Sequence, residues 1–227
     1  MKYQAIIFDM DGTIIATDHI WNKATERFLD SRTIEIQHEE KIALYEFLKG
    51  MALPDASRHL KSTFNVDDHE DVIMHEYSHF ANTLYQTEVM FVEGFLEFHA
   101  TLDSHNLKYG VATNADDRTL NTTKKALPLE TLFGQHIYNI AHVNFQGKPK
   151  PDIYLHAAAQ LGIDPRLCIA IEDSAHGVKA AKAANMFCIG INTHGNPDQL
   201  KEADIIINGY HEIDLANLLN KPVPPNS

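Results

Sequence analysis

Apolar and polar positions change period several times along the chain, and those changes divide it into elements. A short apolar run, Ala5-Ile6-Ile7-Phe8, stops abruptly at Asp9-Met10-Asp11-Gly12-Thr13. That pattern predicts a buried parallel strand that turns polar where it leaves the sheet. From Asp18 to Leu29 the residues Ile20, Trp21, Ala24, Phe28 and Leu29 recur at helical spacing, with Asp18 as the expected cap. A second helix is predicted over about 37–49, ending at Gly50, and a third opens at Pro54-Asp55 with Leu60 and Phe64 on its inner face. A fourth is predicted over 67–86, with Ile73, Tyr77, Phe80 and Leu84 as its stripe. Four helices with no strand between them read as a helical insert that could act as a lid.

From Met90 onward strand and helix alternate. Helices are predicted over 95–104, 116–127, 151–161 and 178–185, and strands over 109–112, 137–143, 167–171, 187–191 and 204–207. The proline-rich tail 221–227 is expected to fray. Repeated strand–helix–strand units imply an α/β fold, a doubly wound parallel sheet of Rossmann-like type. The predicted division is a core of residues 1–15 and 88–227 and a four-helix cap of residues 16–87 inserted after the first strand. In such sheets ligands bind at the carboxyl ends of the strands. Asp9/Asp11, Thr113/Asn114 and Glu172/Asp173 lie at three of those ends, and Lys148 lies in the loop Gly147-Lys148-Pro149-Lys150-Pro151.

Composition narrows the function classes. The chain has 227 residues, 44% of them hydrophobic and 22% charged, which suits one α/β domain with an insert. It contains no apolar run long enough to span a membrane. The first strand begins so early that no signal peptide is expected. Cys168 and Cys188 sit in apolar strand-like runs and read as buried thiols of a cytoplasmic protein. A formal charge of −12 argues against nucleic-acid or acidic-membrane partners, and no protein partner is implied. A small phosphorylated metabolite remains compatible, because a bound cation and a few lysines can reverse the local sign.

Carboxylates converging on a strand-end crevice are hard oxygen donors suited to magnesium. A threonine hydroxyl, backbone N–H groups and a lysine can then cradle a phosphate. Asp9 would be the nucleophile, Asp11 the acid and base, and Lys148 would keep Asp9 ionised.

Phe8-Asp9-Met10-Asp11-Gly12-Thr13, Thr113-Asn114, Gly147-Lys148-Pro149-Lys150-Pro151-Asp152 and Glu172-Asp173-Ser174-Ala175-His176-Gly177 resemble the four ordered motifs of the haloacid dehalogenase superfamily. The insert is similar to the cap of its β-phosphoglucomutase-like phosphatases. The resemblance implies Asp9 as nucleophile and metal ligand, and Asp11 as acid/base with its backbone carbonyl on magnesium. It further implies Asp173 and Glu172 as metal ligands, and Thr113, Asn114 and Lys148 as the phosphate site. An acid at Asp11 sets the chain apart from the dehalogenase and phosphonoacetaldehyde hydrolase branches. Leu48-Lys49-Gly50 resembles the substrate-closing segment of the sugar phosphate mutases. The arginine and lysine those mutases use to grip a second phosphate are matched here by Leu53 and Asp116. Hydrolysis of a phosphomonoester through an aspartyl phosphate is therefore the expected reaction, with mutase chemistry as the alternative.

His19, Trp21 and Lys49 are the candidate cap contacts to substrate. Two other classes compete. His75-Glu76-Tyr77-Ser78-His79 matches the H-E-x-x-H of zinc peptidases, although both histidines lie opposite the apolar stripe. A protein that kept the fold without turnover is the other.

Overall fold

The computed structural model describes residues 2–49 and 51–220. Gly50, expected to end the second helix, and the tail 221–227 lie outside the described residues. Strand β1 (Ala5–Phe8) is fully buried and pairs in parallel with β4 (Lys108–Thr113) on one side and β6 (Cys168–Glu172) on the other. Outside these lie β5 (Ile137–Asn139), β7 (Phe187–Ile191) and β8 (Ile205–Ile207), all parallel, in the order β5-β4-β1-β6-β7-β8. The chain steps to one side of β1 for β4 and β5 and to the other for β6 to β8. The carboxyl end of β1 therefore sits at the switch point where a crevice opens.

Side chains alternate across the sheet as strand geometry requires. Ile6 and Phe8 join a core with Phe95, Phe98, Phe133 and Leu215, while Ala5 and Ile7 face Ile153, Tyr154, Ala157 and Val178. The first group comes from helices α5 (Phe95–His99), α7 (Leu129–Phe133) and α10 (Leu215–Asn220). The second comes from α8 (Asp152–Leu161) and α9 (Ala175–Ala183). Both faces are thus covered, which is why the central strands are apolar throughout rather than alternating.

Between β1 and β4 the chain makes a two-stranded antiparallel ribbon, β2 (Ile15–Ala16) with β3 (Met90–Phe91), paired Ile15 to Phe91 and Ala16 to Met90. The intervening residues form α1 (Asp18–Ser31), α2 (His38–Leu48), α3 (Leu53–Phe64) and α4 (Glu70–Glu88). Ile20, Phe28, Leu60, Ile73, Tyr77 and Tyr85 are buried among these helices. Asp18 is the first residue of α1 rather than its cap, and Thr17 precedes it.

Several boundaries differ from those predicted, each for a local reason. The helix expected over 95–104 stops at His99 and resumes as a 3-10 turn at Asp103–His105. Thr101 Oγ1 donates to the Phe98 carbonyl at 2.7 Å and Ser104 Oγ to the Thr101 carbonyl at 2.6 Å, side-chain bonds that compete with helix continuation. The strand expected over 137–143 ends at Asn139, where Asn139 and His142 cap a 3-10 turn, Ile140–Val143. Helix α9 starts earlier than predicted because Ser174 caps it, its Oγ accepting from Gly177 N at 3.0 Å. Helix α6 (Asp117–Ala126) is capped by Asp116, whose Oδ1 accepts from Thr119 N at 2.7 Å.

Phe8 packs within an aromatic cluster on its face of the sheet, with ring centroids 5.8 Å from Phe95, 6.2 Å from Phe98 and 5.8 Å from Phe133. Phe8→Ala is expected to cost about 3–5 kcal/mol of stability, read as a shift of the urea midpoint at constant slope. A loss under about 1 kcal/mol would place the folding core elsewhere.

Candidate active site

The end of β1 is shaped by a tight turn. Asp9 N still donates to Ile171 O at 2.9 Å, continuing the sheet, and then Ile14 N returns to Met10 O at 2.9 Å and Gly12 N to Ile15 O at 2.7 Å. Gly12 has φ +83°, and a Cβ there would lie 2.2 Å from Asp173 Oδ2. Both conformation and space therefore demand glycine.

The two aspartates of this turn meet different neighbours. Asp9 is hydrogen-bonded by the Lys148 ammonium, which also donates to Glu172 Oε1 at 2.6 Å. Lys148 is 2% exposed and Glu172 fully buried. Tyr154 Oη donates to the same Glu172 oxygen at 2.7 Å, and Ser174 Oγ to Oε2 at 3.2 Å. Gly177 leaves room for that carboxylate, since a Cβ would meet it at 1.8 Å. Ligand oxygens of Asp9, Glu172 and Asp173 all lie within 4.8 Å of one another. With all three ionised, three carboxylates against one ammonium would leave two negative charges in a buried space, which a divalent cation neutralises. The donors are all oxygens, so the set fits a hard cation.

Asp11 lies in the same cleft, but its side chain is outside that cluster. Its carboxylate accepts from Tyr85 Oη of α4, and Trp21 Nε1 of α1 donates to that phenol oxygen at 3.1 Å. Thr113 and Asn114, at the end of β4, line the cleft. Asn114 Oδ1 accepts from Lys148 N at 2.9 Å and so anchors the lysine loop. Thr113 Oγ1 accepts from Ala115 N at 3.0 Å.

Trp21 and Lys49 line the cleft as well, with Asn22, Tyr45 and Glu46. His19 does not: its Nε2 lies 3.5 Å from Glu88, away from the lining residues. The cleft lies between the strand ends and the helical insert and is partly open to solvent. Leu53 and Asp116 are also in its wall. His75 and His79 are exposed on α4, and Glu76 between them is ion-paired with Arg32 at 2.6 Å. They form no metal-holding group with a third ligand among the described residues.

Burial sets the proton affinities. It raises Asp9 well above the usual carboxylate range, with Lys148 opposing and Glu172 and Asp173 adding to the rise. It raises Asp11 too, against the hydrogen bonds from Tyr85 and Thr17. For Lys148 burial acts downward, but the Asp9 and Glu172 carboxylates overcome it and the net shift is upward. Tyr85 is raised by burial and by Asp11.

The haloacid dehalogenase-like hydrolase family matches residues 6–191. The chain belongs to that family. It is 26% identical over 215 residues to validoxylamine A 7'-phosphate phosphatase of Streptomyces hygroscopicus subsp. limoneus, covering 93% of this chain and 96% of that protein. It is 27% identical over 222 residues to the β-phosphoglucomutase of Bacillus subtilis, covering 95% and 93%. A longer Arabidopsis thaliana protein is 28% identical over 208 residues, and the chain spans 19% of it. Among solved structures, β-phosphoglucomutase from Clostridium difficile superposes with a TM-score of 0.79 over 95% of each chain, at 24% identity, a shared fold.

Five residues of this site were not anticipated from sequence: Tyr85, Tyr154, Thr13, Thr193 and His194. Thr13 Oγ1 donates to Asp173 Oδ1 at 3.3 Å, and His194 Nε2 lies 2.7 Å from Asp173 Oδ2. A signal existed for two of them, because Thr193-His194 follows the strand over 187–191 and the strand-end rule applies there equally. Tyr85 belongs to the stripe begun by Ile73 and Tyr77.

Folded, Asp9 and Asp11 bind protons more tightly than in the unfolded chain. Between the ordinary carboxylate value, about 4, and their raised folded values, unfolding releases protons, so stability falls as pH rises. The metal-free protein is expected to lose Tm as pH increases from about 4 toward neutrality, and an added divalent cation to restore it. Thermal melts across that range in EDTA and in excess cation measure this; a Tm independent of pH in EDTA counts against it.

Proposed function

We propose that this hydrolase is a magnesium-dependent phosphatase acting on a small phosphomonoester, a sugar phosphate or a phosphoglycolate-like compound. The observation that carries the reading is the buried Asp9–Lys148–Glu172–Asp173 cluster, with its uncompensated negative charge, opening onto a cleft also walled by Asp11. The family membership and the phosphatase among the relatives support it.

Asp9, Glu172, Asp173 and the Asp11 main-chain carbonyl would hold the cation. When bound, it supplies positive charge to the phosphoryl oxygens. Thr113, Asn114 and Lys148 hold the phosphate. An Asp9 carboxylate oxygen bonds to phosphorus as the ester P–O bond breaks, giving an aspartyl phosphate. Asp11 gives its proton to the departing oxygen. Its raised proton affinity suits that role. Asp11 then takes a proton from the water that attacks phosphorus, which releases inorganic phosphate and restores Asp9.

Residues 16–87 act as the cap, closing over the cleft and choosing the leaving group, with Trp21 and Lys49 as contacts. Buried free Cys168 and Cys188 suit a reducing, cytoplasmic setting. The acidic net charge suits a small metabolite over nucleic acid. A mutase is the second reading, favoured by the β-phosphoglucomutase relative. Leu53 and Asp116 in the cleft wall disfavour it, because neither can hold a second phosphate.

Asp9→Asn is expected to reduce magnesium-dependent phosphate release to background while leaving the fold intact, scored over sugar phosphates and phosphoglycolate. Full activity in that variant sinks the nucleophile. Conversion of β-glucose 1-phosphate to the 6-phosphate, outpacing phosphate release when a bisphosphate primer is present, would select the mutase instead.

A further inference from the structure

The loop that leaves β7 reaches back to the catalytic turn. Asn192 N donates to Ile207 O at 2.7 Å, which ties the start of the loop to β8. Thr193 Oγ1 donates to the Gly12 carbonyl at 2.8 Å, and His194 Nε2 lies 2.9 Å from Thr193 Oγ1 and 2.7 Å from Asp173 Oδ2. Farther along, Asn196 Nδ2 at 3.4 Å and Gln199 Nε2 both donate to Glu46 of α2. The loop is thus pinned at the sheet, at the Gly12 turn and at the opposite wall of the cleft.

The hydrogens in this network can be assigned. A carbonyl only accepts, so the single Thr193 hydroxyl hydrogen goes to Gly12 O. Thr193 Oγ1 then faces His194 as an acceptor, and so does the Asp173 carboxylate. Nε2 must therefore carry a hydrogen, shared between the two.

We propose that His194 is a positioning residue for the metal site, its Nε2–H fixing the rotation of the Asp173 carboxylate so that the ligand oxygen faces Asp9 and Glu172. This rests on the metal-dependent reading above. The contact is well shielded, the two side chains being 11% and 3% exposed. The other hydrogen bond to Asp173, from Thr13 at 3.3 Å, is long, so His194 is the stronger restraint. It orients rather than ligates, since the group of mutually close ligand atoms comprises Asp9, Glu172 and Asp173. Donors behind a ligating carboxylate set its orientation, and losing one weakens metal binding by about 10- to 100-fold.

Calorimetric titration of manganese or magnesium chloride into the metal-free protein tests this without turnover. His194→Ala is expected to bind about 10- to 100-fold more weakly, with an unchanged melting temperature in EDTA. His194→Gln, whose amide nitrogen reaches as far as Nε2, is expected to recover most of the affinity. Equal affinity in wild type and His194→Ala overturns the inference. So does a loss that Gln fails to recover and that accompanies a lower melting temperature, which marks a packing role. Nitrogen hyperfine coupling to bound manganese that disappears in His194→Ala makes the residue a ligand and also overturns it. Wild-type protein that binds no divalent cation defeats the metal-dependent reading itself, a distinguishable outcome.

Discussion

One ammonium group shared by two carboxylates is the constraint around which this molecule is built. Lys148 donates to Asp9 and to Glu172 in a space almost closed to water. Each of those charges alone would be costly there, and removing any one leaves the others uncompensated. The arrangement brings together β1, β6 and the loop before α8, segments far apart in the chain. Tyr154, Ser174 and Asn114 each hold one member in place. Two small residues are forced by the same crowding, Gly12 against Asp173 and Gly177 against Glu172.

Two aspartates separated by one residue are given unlike surroundings by this scaffold. Asp9 faces the ammonium and the other acids, whereas Asp11 faces a phenol supplied by α4 and backed by the indole of Trp21. Neighbouring carboxyl groups can take opposite parts in one reaction when their environments divide them in this way. The division depends on the helical insert, because both Tyr85 and Trp21 belong to it.

The sequence was most informative where a motif coincided with the end of an apolar strand. The parallel sheet, the four consecutive helices and the strand-end acids could be read from period changes alone, because buried parallel strands and amphipathic helices carry unambiguous patterns. Asp9 and Asp11 look alike in the sequence, with one residue between them, because nothing local to them shows that the chain turns at Gly12 and separates their partners. His19 was expected among the cap contacts to substrate, yet its ring lies against Glu88. The short ribbon of β2 and β3, the 3-10 turns and α10 were not legible, since elements of two to six residues hold too few positions to show a period. Tyr154 reaches the site through a tertiary contact with Glu172 that no local pattern encodes.

The ribbon of β2 and β3 fastens the outgoing and returning chain side by side, Ile15 against Phe91 and Ala16 against Met90. To the core, everything between those pairs is one closed loop entered and left at a single point. A replacement segment of other length or architecture could join the core through those two backbone pairings. Contacts of the insert also cross that seam, from Tyr85 to Asp11 and from Asn196 and Gln199 to Glu46. Any transplanted segment must therefore bring its own donor for the aspartate and its own acceptor for the loop after β7.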